Sequence, residues 1–259
     1  MPAKLIAIWG APNTGKTTFA VQMAKMLSAK KQRVFLVLPD METPQLGYIF
    51  PHRKADETFS LGEALSKTVL TQDDLYKVTV TTKAYPNLGY LGYKDRDTEL
   101  AYVRADEDKC ASALILLEGM ADFVIVDCTS SINAMSRSAL RLANISFRVV
   151  SPDLKCICYC GSRLQILTSP ALQMSSQILV LNNNKGKKAA VDDAKATFEK
   201  PGCVLPYSQA VADQYELGQM MDTLSDKKYK KAMDTVINRY LFQRSDAEYP
   251  PQKGTEAKQ

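Results

Sequence analysis

The chain has 259 residues, of which 46% are hydrophobic and 24% charged, with a formal net charge of +5. That is enough for one generous α/β core. No apolar run approaches the roughly 20 residues that a membrane-spanning helix needs. The chain reads as cytoplasmic, and in that compartment its six cysteines are expected to be reduced.

Leu5 to Trp9 is an apolar strand-like run, too short for a signal-peptide core. It leads into Gly10-Ala11-Pro12-Asn13-Thr14-Gly15-Lys16-Thr17, which fits G-x-x-x-x-G-K-[ST], the phosphate-binding P-loop. Thr18 to Lys30 follows as a helix, with Phe19, Ala20, Met23, Ala24 and Leu27 on one side. Strand, glycine loop and helix are the context the motif needs. Loop N–H groups and the positive end of the helix cradle a polyphosphate. Gly10, Ala11, Pro12, Asn13, Thr14, Gly15, Lys16, Thr17 and Thr18 are therefore the candidate nucleotide-binding residues. Lys16 reaches the outer phosphates, and the Thr17 hydroxyl is placed to bind Mg²⁺.

Val34 to Leu38 reads as a buried second strand, stopped by Pro39. Leu61 to Lys67 and Asp73 to Tyr76 read as short helices, and Val78-Thr79-Val80 as a short strand. Lys83 to Arg96, rich in Tyr, Gly and Lys, is the least regular part of the core. Ala105 to Met120 is a helix. Phe123 to Asp127 is a central strand ending in an acid, the place of the second Mg²⁺ residue in P-loop enzymes, so Asp127 joins Thr17 as a metal candidate. Ser131 to Ala143 reads as a helix and Phe147 to Val150 as a strand. Ser151-Pro152-Asp153 then opens another helix.

In that helix Cys156 and Cys160 share a face and Cys158 points away, so Cys156-x-Cys158-x-Cys160 reads as buried small residues rather than a zinc site. Gln177 to Leu181 and Val204-Leu205 are further strands. Ser208 to Met221 and Asp226 to Phe242 close the core as helices. The core spans 1–244, and 245–259 is a polar, disordered tail. Alternating strands and helices give an α/β P-loop NTPase three-layer sandwich, a mostly parallel sheet with helices on both faces.

The late strand runs into Asn182-Asn183-Asn184-Lys185-Gly186-Lys187. A GTPase carries N-K-x-D there, and Lys187 in the place of the Asp cannot accept the guanine N–H donors, which favours ATP. Basic clusters at Lys185–Lys188 and Lys227–Lys231 read as solvated faces, with weak non-specific nucleic-acid contact as the other reading.

These pieces resemble the MinD/ParA group of P-loop ATPases over most of residues 4–243. The likeness rests on the P-loop, the Asp127 strand end, Val150-Ser151-Pro152-Asp153, Leu181-Asn182 and Leu205-Pro206-Tyr207-x-x-Ala210-Val211. The resemblance implies a nucleotide-dependent homodimer using ATP and Mg²⁺. By it, Asn182 contacts the adenine edge and the Pro206 loop flanks the base. It also implies a water-orienting acid after the second strand, Asp40 or Glu42, with Lys16 as the phosphate-contacting catalytic cation.

The group's loop carries a signature lysine after the first glycine, where this chain has Ala11 and then Pro12-Asn13. In this the chain resembles atypical TadZ/CpaE-like pilus-assembly members. That likeness implies slow hydrolysis and a partner in a pilus or secretion apparatus, or another cargo protein. The amphipathic membrane helix of MinD has no counterpart after Phe242. A small-molecule P-loop kinase with an acceptor pocket at Lys83–Arg96, and a nucleotide-holding module without turnover, stay open as alternatives.

Overall fold

A computed structural model of the chain describes residues 5–50, 59–98, 100–167, 177–183 and 201–242. Its spine is β1 (Leu5–Gly10), six residues of which none touches solvent appreciably. The neighbours follow from which segments can be buried on both faces: β2 (Val34–Leu38), β5 (Phe123–Asp127), β6 (Ile145–Val150) and β7 (Gln177–Asn182) are near-continuous apolar runs, as a parallel sheet covered on both sides requires. With β3 (Val80–Thr82), β4 (Tyr85–Gly92) and β8 (Cys203–Leu205) they form one sheet in the order β3-β4-β2-β5-β1-β6-β7-β8. Every pairing is parallel except β3 with β4.

Alternate β1 side chains feed two cores. Ile6 and Ile8 face α1 (Lys16–Ala29) through Phe19, Met23 and Leu27, and also α9 (Lys227–Ile237) through Tyr229, Met233 and Val236. Leu5, Ala7 and Trp9 face α5 (Glu107–Met120) and α6 (Ala134–Leu142) through Leu114, Leu117, Ala139 and Leu140. This is the three-layer sandwich expected from the alternation of elements. Smaller elements are α2 (Leu46–Ile49), α3 (Leu61–Leu65), α4 (Gln72–Lys77), α7 (Leu154–Leu167) and α8 (Gln209–Glu216), with a π-helical turn at Asn238–Phe242.

Several expectations need correction. Lys83 to Arg96 is not the irregular part of the core, because β4 occupies most of it and pairs with β2. Its glycines are packing residues. A Cβ on Gly89 would lie 2.6 Å from the Thr79 methyl and 2.8 Å from the Phe35 ring. The strand expected at Val78 starts at Val80, since Val78 ends α4. α6 starts at Ala134, not Ser131, because the Asn133 side chain accepts from Ser136 N–H at 2.9 Å and caps the helix there. At α7 the cap is Asp153 rather than Ser151: its Oδ1 accepts from Cys156 N–H at 2.9 Å. α8 stops at Glu216 rather than Met221, where Gly218 at φ +65° turns the chain.

α7 does place Cys156 and Cys160 inward and Cys158 outward. The lysines at 227, 228, 230 and 231 are exposed on the outer face of α9. The cluster at 185–188 and the tail at 245–259 lie outside the described residues. Among those described, no helix is long and apolar enough to cross a membrane.

Candidate functional site

The carboxyl ends of β1, β2, β5, β7 and β8 converge on one edge of the sheet, the position at which parallel α/β sheets bind ligands. A cavity of about 810 Å³ lies there. Its floor is the P-loop, and the loop's shape explains its glycines. Gly10 has φ +152°, and a Cβ on it would lie 2.1 Å from the Val149 carbonyl oxygen of the neighbouring strand. Gly15 has φ +84° and sits against Asn182, whose Nδ2 would be 2.4 Å from an added Cβ. Thr14 Oγ1 donates to the Ala11 carbonyl at 2.9 Å and closes the loop from within. No side chain caps α1, so its first N–H groups are left for an anion.

Lys16 and Thr17 begin the helix and point at two different partners. Lys16 Nζ donates to the Ala11 carbonyl and to Ser130 Oγ, both at 2.8 Å. Burial lowers its pKa, while Asp127, Cys128 and Asp40 act the other way. Thr17 Oγ1 donates to Asp127 Oδ2 at 2.5 Å. Asp127 is buried, and burial pushes its carboxyl up to about 6 against the opposing pull of Lys16 and Thr17. Its other oxygen, Oδ1, is buried and has no hydrogen-bond partner among the described residues. A buried carboxylate oxygen needs a donor or a cation. A hydroxyl and a carboxylate side by side are the oxygen ligands that a hard divalent ion takes. The residues present therefore fit a polyphosphate with its cation.

Asp40 and Glu42 separate. Asp40 lines the P-loop cavity, and its carboxylate accepts from Thr43 N–H at 2.9 Å and Thr43 Oγ1 at 2.8 Å. The Asn133 side chain donates to the Pro39 carbonyl at 2.7 Å and holds this turn to the start of α6. Glu42 instead lines a second cavity of about 360 Å³ beside Tyr102, Arg104 and Arg137. Asp40 belongs to the walls of both.

Asn182 is placed differently from the expectation of a base contact alone. Its Nδ2 donates to the Thr14 carbonyl at 2.8 Å and so braces the P-loop from β7. Its neighbour Asn183 lines the cavity with a buried Oδ1 that has no partner among the described residues. Asn184, Lys185 and Lys187 lie outside the described residues. Pro206 and Tyr207 line the cavity, followed by the α8 face of Ser208, Val211, Ala212 and Tyr215. That wall is tied to α1 through Gln22 Nε2 and Gln214 Oε1 at 3.1 Å. Nearby, Lys25 Nζ donates to the Met220 and Asp222 carbonyls at 2.7 and 2.5 Å.

Of the sequence candidates, Pro12, Asn13, Gly15, Lys16, Thr17, Thr18, Asp40, Asn182 and Pro206 line the cavity. Gly10, Ala11 and Thr14 shape the loop from beneath, and Asp127 stands behind Thr17. Ala11 is buried in a cluster with Val150, Cys156, Cys160, Leu179 and Leu181. Sequence reading missed Ser130, whose signal was the hydroxyl-rich run after Asp127. It also missed Tyr48, Asn183 and Tyr215.

The fold has known counterparts. The septum site-determining protein MinD of Pyrococcus horikoshii OT3, complexed with Mg-ADP, superposes with a TM-score of 0.69 at 19% identity, covering 90% of this chain and 95% of that one. A putative plasmid partition protein of Borrelia burgdorferi B31 bound to AMPPNP gives 0.71 at 15% identity, with 93% and 99% covered. The MinC:MinD cell division protein complex of Aquifex aeolicus gives 0.71 at 17%, with 95% and 99% covered. No family model and no curated protein sequence matches the chain. The chain thus has the P-loop NTPase fold of MinD- and ParA-type ATPases, at identities that speak for fold alone.

Proposed function

We propose that this protein is an ATP-binding switch of the MinD/ParA type that uses Mg²⁺, hydrolyses ATP slowly, and positions or assembles a cargo such as a pilus or secretion apparatus. One observation carries the ATP part: Lys16 and Thr17 line a cavity floored by a shaped P-loop, with a half-satisfied buried Asp127 bonded to Thr17 from behind. Similar folds hold Mg-ADP and AMPPNP, and one is in complex with MinC.

The P-loop amides and Lys16 bind and orient the phosphates, and Thr17 and Asp127 hold the metal. Mg²⁺, when bound, neutralises charge on the outer phosphates. Asp40 is the water-orienting acid in preference to Glu42, because it shares the cavity with Lys16. Asn182 holds the loop in shape, and Pro206 flanks the base. Slow turnover follows from Ala11. Where the group's second lysine would add a positive charge to the transition state, this chain packs a methyl under α7. That is the TadZ/CpaE-like character of the proposal.

A second reading, a small-molecule kinase, is favoured by one feature: the 360 Å³ cavity touches Asp40 from the other side, where an acceptor hydroxyl could face it. Purified protein with ATP and Mg²⁺ separates the two by solution mass and turnover. The switch reading expects ATP-dependent dimers, no ATP binding by Lys16→Ala, and near-normal binding with lower turnover by Asp40→Ala. An unchanged monomer that releases ADP only when an acceptor is added would replace it with the kinase.

A further inference from the structure

The ATP-binding face has a wall that neither the P-loop nor the base loop supplies. The arm after β2 begins at Asp40 and ends at Phe50. Its anchors are firm: Leu46 and Ile49 are each 1% exposed, and Phe50 stacks edge-on against Tyr90 at 4.8 Å. Asp95 packs so closely over Gly47 that a Cβ there would lie 2.4 Å from its carboxylate oxygens. Between these anchors Tyr48 is the residue left pointing outward, 40% exposed.

Tyr48 crosses the cavity. Its hydroxyl donates to the Tyr215 carbonyl, and the two rings lie 5.7 Å apart at 52°, joining segments 167 residues apart in the chain. Both tyrosines line the same cavity as Lys16 and Pro206. Tyr215 stands one helical turn from Val211 on the α8 face, so the wall that starts beside Pro206 ends under Tyr48. Two exposed tyrosines that meet across a cavity are well suited to a planar ligand. They offer large apolar faces with little ordering entropy left to lose.

We infer that Tyr48 and Tyr215 form an aromatic strap that retains the base of the bound nucleotide, which makes Tyr48 a base-binding residue of the site. The inference rests on the ATP-binding reading above and adds to it. The strap acts on the base and not on the phosphates, although its arm starts at Asp40. An arm anchored at Leu46 and Ile49 isolates Tyr48 from the turn that Asp40 makes with Thr43.

Calorimetric titration of Mg-ATP and of Mg-tripolyphosphate tests this in wild type, Tyr48→Ala, Tyr48→Phe, Tyr215→Ala and Lys16→Ala. Both tyrosines are substantially exposed, so their truncation spares the core. Loss of one base–aromatic contact should weaken ATP about tenfold in Tyr48→Ala and in Tyr215→Ala. Tripolyphosphate affinity should not change in either, and Tyr48→Phe should retain most of the ATP affinity. Lys16→Ala should lose both ligands. Equal weakening of ATP and tripolyphosphate in Tyr48→Ala, or no change in either, overturns the strap while leaving ATP binding intact. A wild type that binds neither ligand overturns both readings.

Discussion

The two ends of the cavity are built by opposite routes. At the phosphate end, eight consecutive residues make the floor, and their backbone conformation is set by Gly10 and Gly15. At the opposite end, the proposed base site, Tyr48, Asn182 with Asn183, Pro206 and Tyr215 arrive from four separate segments and depend on the sheet order to meet. The first is a local shape carried by one continuous run, with Val149 of β6 and Asn182 of β7 pressed against its glycines. The second is a tertiary construction whose parts carry no signature of their own. Asn182 links the two ends, since it leaves β7 beside the strand that leads to Pro206 and donates to the Thr14 carbonyl of the P-loop.

Three experiments probe that contrast. The largest effect should come from Gly10→Ala. The new methyl meets the Val149 carbonyl at 2.1 Å, so β1 and β6 must part. A loss of about 3 kcal/mol or more of folding stability is expected, read as a collapse of the denaturation midpoint. A variant as stable as wild type would show that the phosphate end is not rigidly shaped by its glycines.

Asn182→Ala comes next. It leaves the Thr14 carbonyl without its donor, at a cost of about 1–3 kcal/mol, and should weaken nucleotide and tripolyphosphate alike by about tenfold. If only the nucleotide weakens, Asn182 belongs to the base end and the bridge between the two ends dissolves.

The smallest effect concerns pH. Burial raises the Cys203 thiol, in the strand that delivers Pro206, from 9.0 to about 11. The folded state therefore keeps this proton longer than the unfolded chain does. The associated stability is complete below pH 9 and is lost as pH climbs through 9 towards 11. Melting temperature should fall by a few degrees over that window in wild type and by less in Cys203→Ala. Parallel curves would mean that the base end does not feel this thiol.

The same contrast governs what could be read from the sequence. The parallel sheet, α1, the P-loop and the Asp127 strand end were legible because each is a run of adjacent residues with a repeating burial pattern. β4 was not, because Pro86, Asn87, Gly89 and Gly92 look like turn chemistry. The strand survives through packing that the local sequence cannot display: the Tyr90 ring is wholly buried, and Gly89 lets Thr79 and Phe35 close in. Helix ends shifted by a few residues where a cap outside the expected position took over, as Asn133 did for α6. Asp40 and Glu42 stand two residues apart in the sequence, and only the fold separates them, with Asp40 on the walls of both cavities and Glu42 on the second alone. Tyr48 was invisible because its partner is on the far side of the cavity.

The burial of Ala11 also limits engineering. Giving the loop a second cation is not a matter of one codon. Ala11→Lys would drive an ammonium group into a space already filled by Val150, Leu179, Leu181 and the two inward cysteines of α7. An unpaired charge there is strongly disfavoured. The side chain would have to thread outward past Pro12, or α7 would have to lift off the sheet. A version of this loop with a second cation therefore has to be redesigned from α7 inward, with smaller residues at Cys156 and Cys160 preceding any change in the loop.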